Sequence, residues 1–205
     1  MKRIILLATI FLALVTQPLK AQNKLLTIDD IFDPVKKVNF NGTTPSIRWL
    51  KDGNHYLLTN DASRRDVPRL QKVDAATGDA VPFFDVAKMQ AAFAGLPGIS
   101  ADDARQLANR GNYDLNPRET AVLINWSNDL FFYEFASDRA IRLTTGPEPE
   151  VGEGFSPDGK MVSFVRGNNL YVEDISLQRR ERALTSDGSE NILNGRLDWV
   201  YQEEL

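Results

Sequence analysis

Stretches of this chain about forty residues apart repeat one another, and that period constrains the fold more than any other feature. Set "FSPDGKMVSFVRGNNLYVEDISLQRRERALTS", from Phe155, against "LNPRETAVLINWSNDLFFYEFASDRAIRLTT", from Leu115. Pro157 then falls on Pro117, Val162 on Val122 and Leu170 on Leu130, an offset of 40. Leu184-Thr185 matches Leu143-Thr144 at an offset of 41, so one residue is inserted in the last turn. An earlier copy shows in "WLKDGNHYLL", where Asp52-Gly53 matches Asp158-Gly159.

Each copy reads as four short strands. Met161–Arg166 and Leu170–Asp174 are apolar runs rich in β-branched and aromatic residues, and Gly167–Asn169 between them supplies residues that tolerate positive φ in a tight hairpin. Arg182–Thr185 should complete that sheet. Ala121–Asn125 and Leu130–Phe135 repeat the pattern one copy earlier, joined by a turn at Ser127–Asp129. Forty residues in four antiparallel strands make a propeller blade, which is stable only when stacked on neighbours. The expected fold is therefore all-β: a partial β-propeller of four-stranded antiparallel blades with a helical insertion. The blades fall near 39–84, 113–146 and 151–188. A single β-sandwich is the alternative.

The first two copies stand too far apart, and the surplus at 85–110 looks helical. Val86, Met89 and Phe93 share one face at i, i+3 and i+7, and Ser100 with Asp103 forms a capping box ahead of Leu107. Gly95-Leu96-Pro97-Gly98 separates the two helices, expected at Asp85–Phe93 and Ala101–Asn109. Packing on the propeller rim is one use for such a hairpin; partner binding is the other.

Composition narrows the function classes. At 42% hydrophobic, 25% charged and net charge −4, the chain is globular and carries no basic stripe for a phosphate backbone, so nucleic acid is not expected as a partner. No cofactor is expected either: one histidine, His55, and no cysteine give no ligand set for zinc, so no metal residue is assigned. Residues 1–21 read as a cleavable signal peptide. Lys2 and Arg3 precede an apolar run from Ile4 to Val15, and Leu19-Lys20-Ala21 forms a tolerable cleavage signal. The run is shorter than the roughly 20 residues that span a bilayer. A periplasmic or secreted location follows, with an uncleaved anchor as the alternative, and residues 22–205 form the mature propeller portion.

The chain closes on "DWVYQEEL", with Glu203 and Glu204 side by side. Two adjacent carboxylates need full solvation or a cation. Together with "FSPDGK", "NNLYV" and "LTSDGSENILNG", this ending resembles the N-terminal β-propeller of dipeptidyl peptidase IV and its bacterial relatives, in the prolyl oligopeptidase family of serine peptidases. The resemblance covers Asp114 to Leu205 and, more loosely, Asn39 to Arg110. It implies that Glu203 and Glu204 grip the free amino terminus of a peptide substrate, supported by Asp198, Trp199 and Tyr201 of an Asp-Trp-x-Tyr segment. Relatives usually carry a third Glu where this chain has Gln202. They also carry a second-blade arginine that orients the substrate carbonyl, and no arginine lies between Val122 and Phe135 here. The alternative for the acidic pair is a solvated strand end.

The resemblance further implies a partner: a C-terminal α/β-hydrolase domain carrying a Ser-Asp-His triad. No Gly-x-Ser-x-Gly elbow occurs in these residues, so no catalytic residue is assigned. His55 stands in a strand of the first copy with no hydrolase scaffold around it. Three copies also fall short of a closed ring. The chain is accordingly expected to be a truncated N-terminal part of an exported serine dipeptidyl peptidase, with a homodimer through open blade edges as one candidate assembly. The competing reading is a non-catalytic exported propeller that scaffolds another protein. A Gly-x-Ser-x-Gly encoded downstream of Leu205 discriminates between them.

Overall fold

The computed structural model describes residues 27–33, 35, 45–64, 67–176 and 181–197. The stretch 1–21, read from sequence as a signal peptide, lies outside them. The chain divides into two units, Met1–Thr44 and Pro45–Leu205. In the first, helix α1 (Ile28–Phe32) opens on a capping box between Thr27 and Asp30 and leaves Ile28 and Phe32 exposed.

The second unit contains three four-stranded antiparallel sheets, each with its strands in chain order. Blade one comprises β1 (Ser46–Trp49), β2 (His55–Thr59), β3 (Leu70–Asp74) and β4 (Ala80–Pro82). Blade two comprises β5 (Asp114–Leu115), β6 (Ala121–Trp126), β7 (Asp129–Glu134) and β8 (Arg139–Arg142). Blade three comprises β9 (Val151–Phe155), β10 (Met161–Arg166), β11 (Asn169–Asp174) and β12 (Arg182–Ala183). The partial propeller of four-stranded blades is the fold of this chain.

The same turn joins the first two strands of every blade, which is why the copies align. The bonds Gly53 N to Leu50 O, Glu119 N to Asn116 O and Gly159 N to Ser156 O measure 3.1, 2.9 and 2.8 Å. The closing residue has positive φ each time, +72° at Gly53, +58° at Glu119 and +74° at Gly159. Glycine adopts that conformation without penalty and glutamate does not. Glu119 is held there by its own carboxylate, which accepts from the Lys51 amide at 3.0 Å, while Lys51 Nζ donates to Pro117 O at 2.7 Å. Blades one and two are thereby tied turn to turn.

The central hairpins close one residue tighter than the sequence suggested. Ser127 and Asn128, at φ +53° and +69°, and Gly167 and Asn168, at +55° and +60°, form two-residue turns of the mirror-image type that matches strand twist. Asp129 and Asn169 are therefore not turn residues. They pair with Trp126 and Arg166 as the first residues of β7 and β11. The last strand of blade three is correspondingly shorter than Arg182–Thr185. Leu184 N still bonds Leu170 O at 2.8 Å, but Thr185 meets β11 through its side chain, its Oγ1 accepting from Leu170 N at 3.0 Å. Thr144 does the same for Leu130 N at 2.8 Å in blade two. This shared hydroxyl is the reason for the repeated Leu-Thr.

Blade two is buried on both faces, as its unbroken apolar strand Ala121-Val122-Leu123-Ile124 requires. Val122, Ile124, Phe131 and Tyr133 join Leu57 and Leu70 of blade one in one core, and Ala121, Leu123, Leu130 and Phe132 join Val162 and Phe164 of blade three in the other. The insertion completes the first core. Helix α2 (Val86–Ala94) is capped by Asp85, and α3 (Ala101–Ala108) by the Ser100–Asp103 box, with Asn109 just past its end. Met89, Phe93 and Leu107 are fully buried, Val86 packs partly buried beside them, and α2 lies along the outer strand β8. Ser100 Oγ accepts from the Asp103 amide at 3.0 Å. Ser100→Ala should therefore lower the urea-unfolding free energy by about 1 kcal/mol, the usual cost of losing such a cap. An unchanged midpoint would mean that the insertion frays independently of the blades.

Candidate functional site at the turn end of the third blade

Asp198, Trp199, Tyr201, Gln202, Glu203 and Glu204 lie outside the described residues. What the structure places is the ground they depart from: the connector that runs from the end of β12 to Leu197 and folds down on the β10–β11 turn. Two glycines allow this close approach. A Cβ on Gly188 would stand 2.4 Å from Asn168 O, and one on Gly195, at φ +71°, would stand 2.8 Å from Val165 Cγ2. The turn then holds the connector by hydrogen bonds. Asn169 Oδ1 accepts from Gly188 N at 2.9 Å, Asn168 O accepts from Asn194 N at 3.1 Å, and Asn168 Nδ2 donates to Ser189 O at 2.9 Å.

Beside that turn lies a cleft of about 380 Å³ between blades two and three, lined by Thr144, Gly146, Glu148, Arg166, Glu173 and Glu181 among others. Beneath it runs a chain of polar contacts. Asp129, 2% exposed, accepts from Arg142 Nε at 3.0 Å and from Gly146 N at 3.0 Å. Thr144 Oγ1 donates to Glu150 Oε2, and Glu150 Oε1 accepts from Arg166 Nη1 at 3.0 Å. Arg166 also pairs with Glu181 and lays its guanidinium 4.6 Å from the centre of the Tyr171 ring. Burial pushes the Glu150 carboxyl above its ordinary range, against the opposing pull of the Thr144 hydroxyl and the Arg166 charge. Nothing in the repeat pattern announces this network. Glu150 sits in "GPEPEVGEG", which reads as a solvated acidic loop, and only the structure shows it buried.

The remaining sequence candidates fall elsewhere. His55, on β2, has Nδ1 2.8 Å from Asp52 Oδ2 and Nε2 3.8 Å from Asp74 Oδ2, so it fastens the first turn of blade one. Asp52 itself is pulled down to about 2, chiefly by the Asn54 amide. Among the described residues no three His, Asp or Glu side chains gather as metal ligands. Two arginines from outside residues 122–135 reach the strands flanking the blade-two turn: Arg142, on Asp129, and Arg110, whose Nη1 donates to Asn125 O at 3.2 Å.

Residues 148–205 match the family described as the Dipeptidyl peptidase IV (DPP IV) N-terminal region. The chain is 33% identical over 82 residues to dipeptidyl aminopeptidase B of Saccharomyces cerevisiae, covering 40% of this chain and 10% of that one. It is 26% identical over 216 residues to a probable dipeptidyl-aminopeptidase B of Chaetomium globosum, covering 91% and 21%. Among solved structures it is similar to Porphyromonas gingivalis dipeptidyl peptidase 4, with a TM-score of 0.56 and 24% identity over 89% of this chain and 25% of that one. The last likeness concerns the fold. The chain thus spans only a tenth to a fifth of the length of these curated relatives.

Proposed function

We propose that this partial β-propeller, which carries the dipeptidyl peptidase IV N-terminal region at residues 148–205, is the substrate-selecting part of an exported serine dipeptidyl peptidase. That enzyme would release dipeptides from the free amino terminus of peptides. The single observation that carries the reading is the family match itself. It runs from Glu148, just ahead of β9, through the whole of blade three and its connector to the final acidic pair, so Glu203 and Glu204 fall inside the matched stretch.

The chemistry is that of a cation clamp. An α-ammonium offers three donors in a compact charge, and two carboxylates converging on it make charge-assisted hydrogen bonds about twice as strong as neutral ones. An incoming ammonium also relieves the mutual repulsion of the two carboxylates. With the amine anchored on the propeller, only a carbonyl one dipeptide away reaches a serine on the partner hydrolase domain. The propeller therefore measures the substrate and the hydrolase domain cuts it. This chain contributes no triad residue to that division of labour. Export is part of the proposal, resting on the Lys2-Arg3 start and the apolar run that follows. No helix among the described residues is long and apolar enough to cross a membrane.

The test is product analysis. The enzyme that carries this chain, given a peptide with a free amine and the same peptide acetylated, should release the N-terminal dipeptide from the first and leave the second intact. Equal cleavage of both, or cuts at internal bonds, removes the proposal.

A further inference from the structure

The stretch from Arg110 to Tyr113, which leads from the helical insertion into β5, draws three guanidinium groups around it. Arg48 Nη1, from β1, donates to Tyr113 O at 3.1 Å, and Arg110 Nη1 donates to Asn125 O at 3.2 Å. The Arg69 guanidinium lies over Gly111, where a Cβ would stand 2.6 Å from its Nη2. Burial pushes the Tyr113 hydroxyl up to about 12, against the pull of the Arg110 amide and of the Arg110 and Arg69 charges, so both cations are near that ring. The chain as a whole carries −4. Arg105, Arg142 and Arg166 each pair with a carboxylate, but among the described residues no carboxylate stands within ion-pair distance of Arg48, Arg69 or Arg110. Asp61, an acid that Arg69 acts on, is held below its ordinary range chiefly by the Ser63 amide, then by the Ser63 hydroxyl, and only then by Arg69.

Beside these cations is a cavity of about 40 Å³, lined by Ser46, Arg48, Thr59, Gly111, Asn112 and Tyr113 among others. Ser46 and Thr59 face it as a cross-strand pair of β1 and β2, and Thr59 Oγ1 donates to Gly111 O at 2.8 Å, which fixes the opposite wall. A volume of that order admits about three water-sized groups, the size of a carboxylate. A guanidinium is the donor that meets a carboxylate in a planar, two-bond pair. The bond to Tyr113 O holds Arg48 in place and leaves most of its fork unspent. Arg69, over Gly111, and Arg110, beside it, add positive potential at the same wall. On its other side Arg48 borders a wider cleft with Asp114, Glu119 and Glu153 in its wall, none of them within ion-pair distance of it.

We propose that this cavity is a binding site for a carboxylate group of a peptide, gripped by Arg48 and favoured by the field of Arg69 and Arg110. The peptide as ligand rests on the function proposed above; the carboxylate rests on the cavity and its cations. Two sources offer that group: the C-terminus of a short peptide and an acidic side chain of a longer one.

The experiment uses the enzyme that carries this chain and probes without a free amine, which neither engage an amine clamp nor require turnover. They are N-acetyl-trialanine with a free C-terminal carboxylate, the same peptide as its C-terminal amide, and that amide with a central glutamate. Binding is titrated by saturation-transfer NMR in wild type, Arg48→Met, Arg48→Lys and Arg118→Met. A probe with a carboxylate should bind wild type about tenfold more tightly than the plain amide, the gain from one charge-assisted pair. Raised salt should narrow that gap. Arg48→Met should abolish it. Arg48→Lys keeps the charge without the planar fork and should retain only part of it, and this variant decides the matter if the methionine one does not fold. Arg118→Met removes an exposed cation from the turn between β5 and β6 and should leave the gap intact. Tighter binding of the free acid assigns the site to peptide C-termini, and tighter binding of the glutamate amide to acidic side chains. Equal binding of all three probes, or no binding by any, overturns the proposal. So does a carboxylate preference that survives in Arg48→Met, is undiminished in Arg48→Lys, or falls equally in Arg118→Met. Because no probe carries an amine, each of those results leaves the proposed dipeptide release standing, and failure of that release leaves the carboxylate preference still to be read.

Discussion

Arg166→Met is expected to cost the chain about 3 kcal/mol in urea unfolding near pH 8, the order seen when one partner of a buried ion pair is removed. The Glu150 side chain has 0% of its surface exposed and that of Arg166 18%, so water does not replace the lost cation. Methionine preserves the apolar stem beside Phe164 and Tyr171, which separates the charge from the packing. Glu150 keeps the hydrogen bond from the Thr144 hydroxyl but loses its cation, and burial then raises its proton affinity further. The sign of the pH dependence follows. A carboxyl whose folded pKa lies above its ordinary value of 4.5 binds its proton more tightly when folded, so protonation stabilises. That contribution is fully present below the unfolded value and is lost as pH rises through the folded one. The deficit of Arg166→Met should accordingly be largest at alkaline pH and shrink toward about pH 5. Glu150→Leu combined with Arg166→Met should recover most of the loss, because no uncompensated buried charge remains; Glu181, the other partner of Arg166, is one-third exposed and stays solvated. A deficit independent of pH would place the cost in packing.

The turns, the hairpins and the helical insertion were legible because each rests on a local rule: positive-φ residues between period-two strands, and caps ahead of an apolar stripe. The misplacements were also local. Asp129 and Asn169 look like turn residues by type, yet a two-residue turn of the favoured hand needs only the positions before them, and their carboxylate and amide serve the connectors. Thr185 looks like a strand residue, but its hydroxyl replaces the backbone as the acceptor that ends β12. Burial of a charge was not legible at all. Glu150 becomes a core residue only because Thr144, just past the end of β8 and 6 residues before it, and Arg166, on β10 and 16 residues after it, both reach it. For the site, the acidic pair could be singled out from its neighbours in sequence. The anchoring of the connector ahead of it could not, since turn propensity explains Asn168 without reference to Ser189, Asn194 or Arg196.

Glu203→Gln and Glu204→Gln should each lower kcat/KM for a free-amine dipeptide substrate by about 1.5 to 3 kcal/mol, one charge-assisted bond apiece, in the enzyme that carries this chain. The amide keeps the shape of the carboxylate and one acceptor oxygen, but it has no charge and brings two donors toward a cation that also only donates. The loss is therefore electrostatic rather than steric. Folding should hardly change, because the substitution relieves a like-charge contact between neighbours. Acetylating the substrate amine should erase most of the difference between wild type and both variants, since a blocked amine offers no cation to grip. Gln202→Glu serves as the control: it adds a carboxylate beside the pair without removing either, and activity should stay within a few fold. High salt weakens exposed ion pairs far more than desolvated ones. The advantage of the free amine should therefore survive raised salt if the pair closes around its ligand. If both glutamine variants process the free-amine substrate at the wild-type rate, Glu203 and Glu204 are a solvated strand end and the substrate is selected elsewhere.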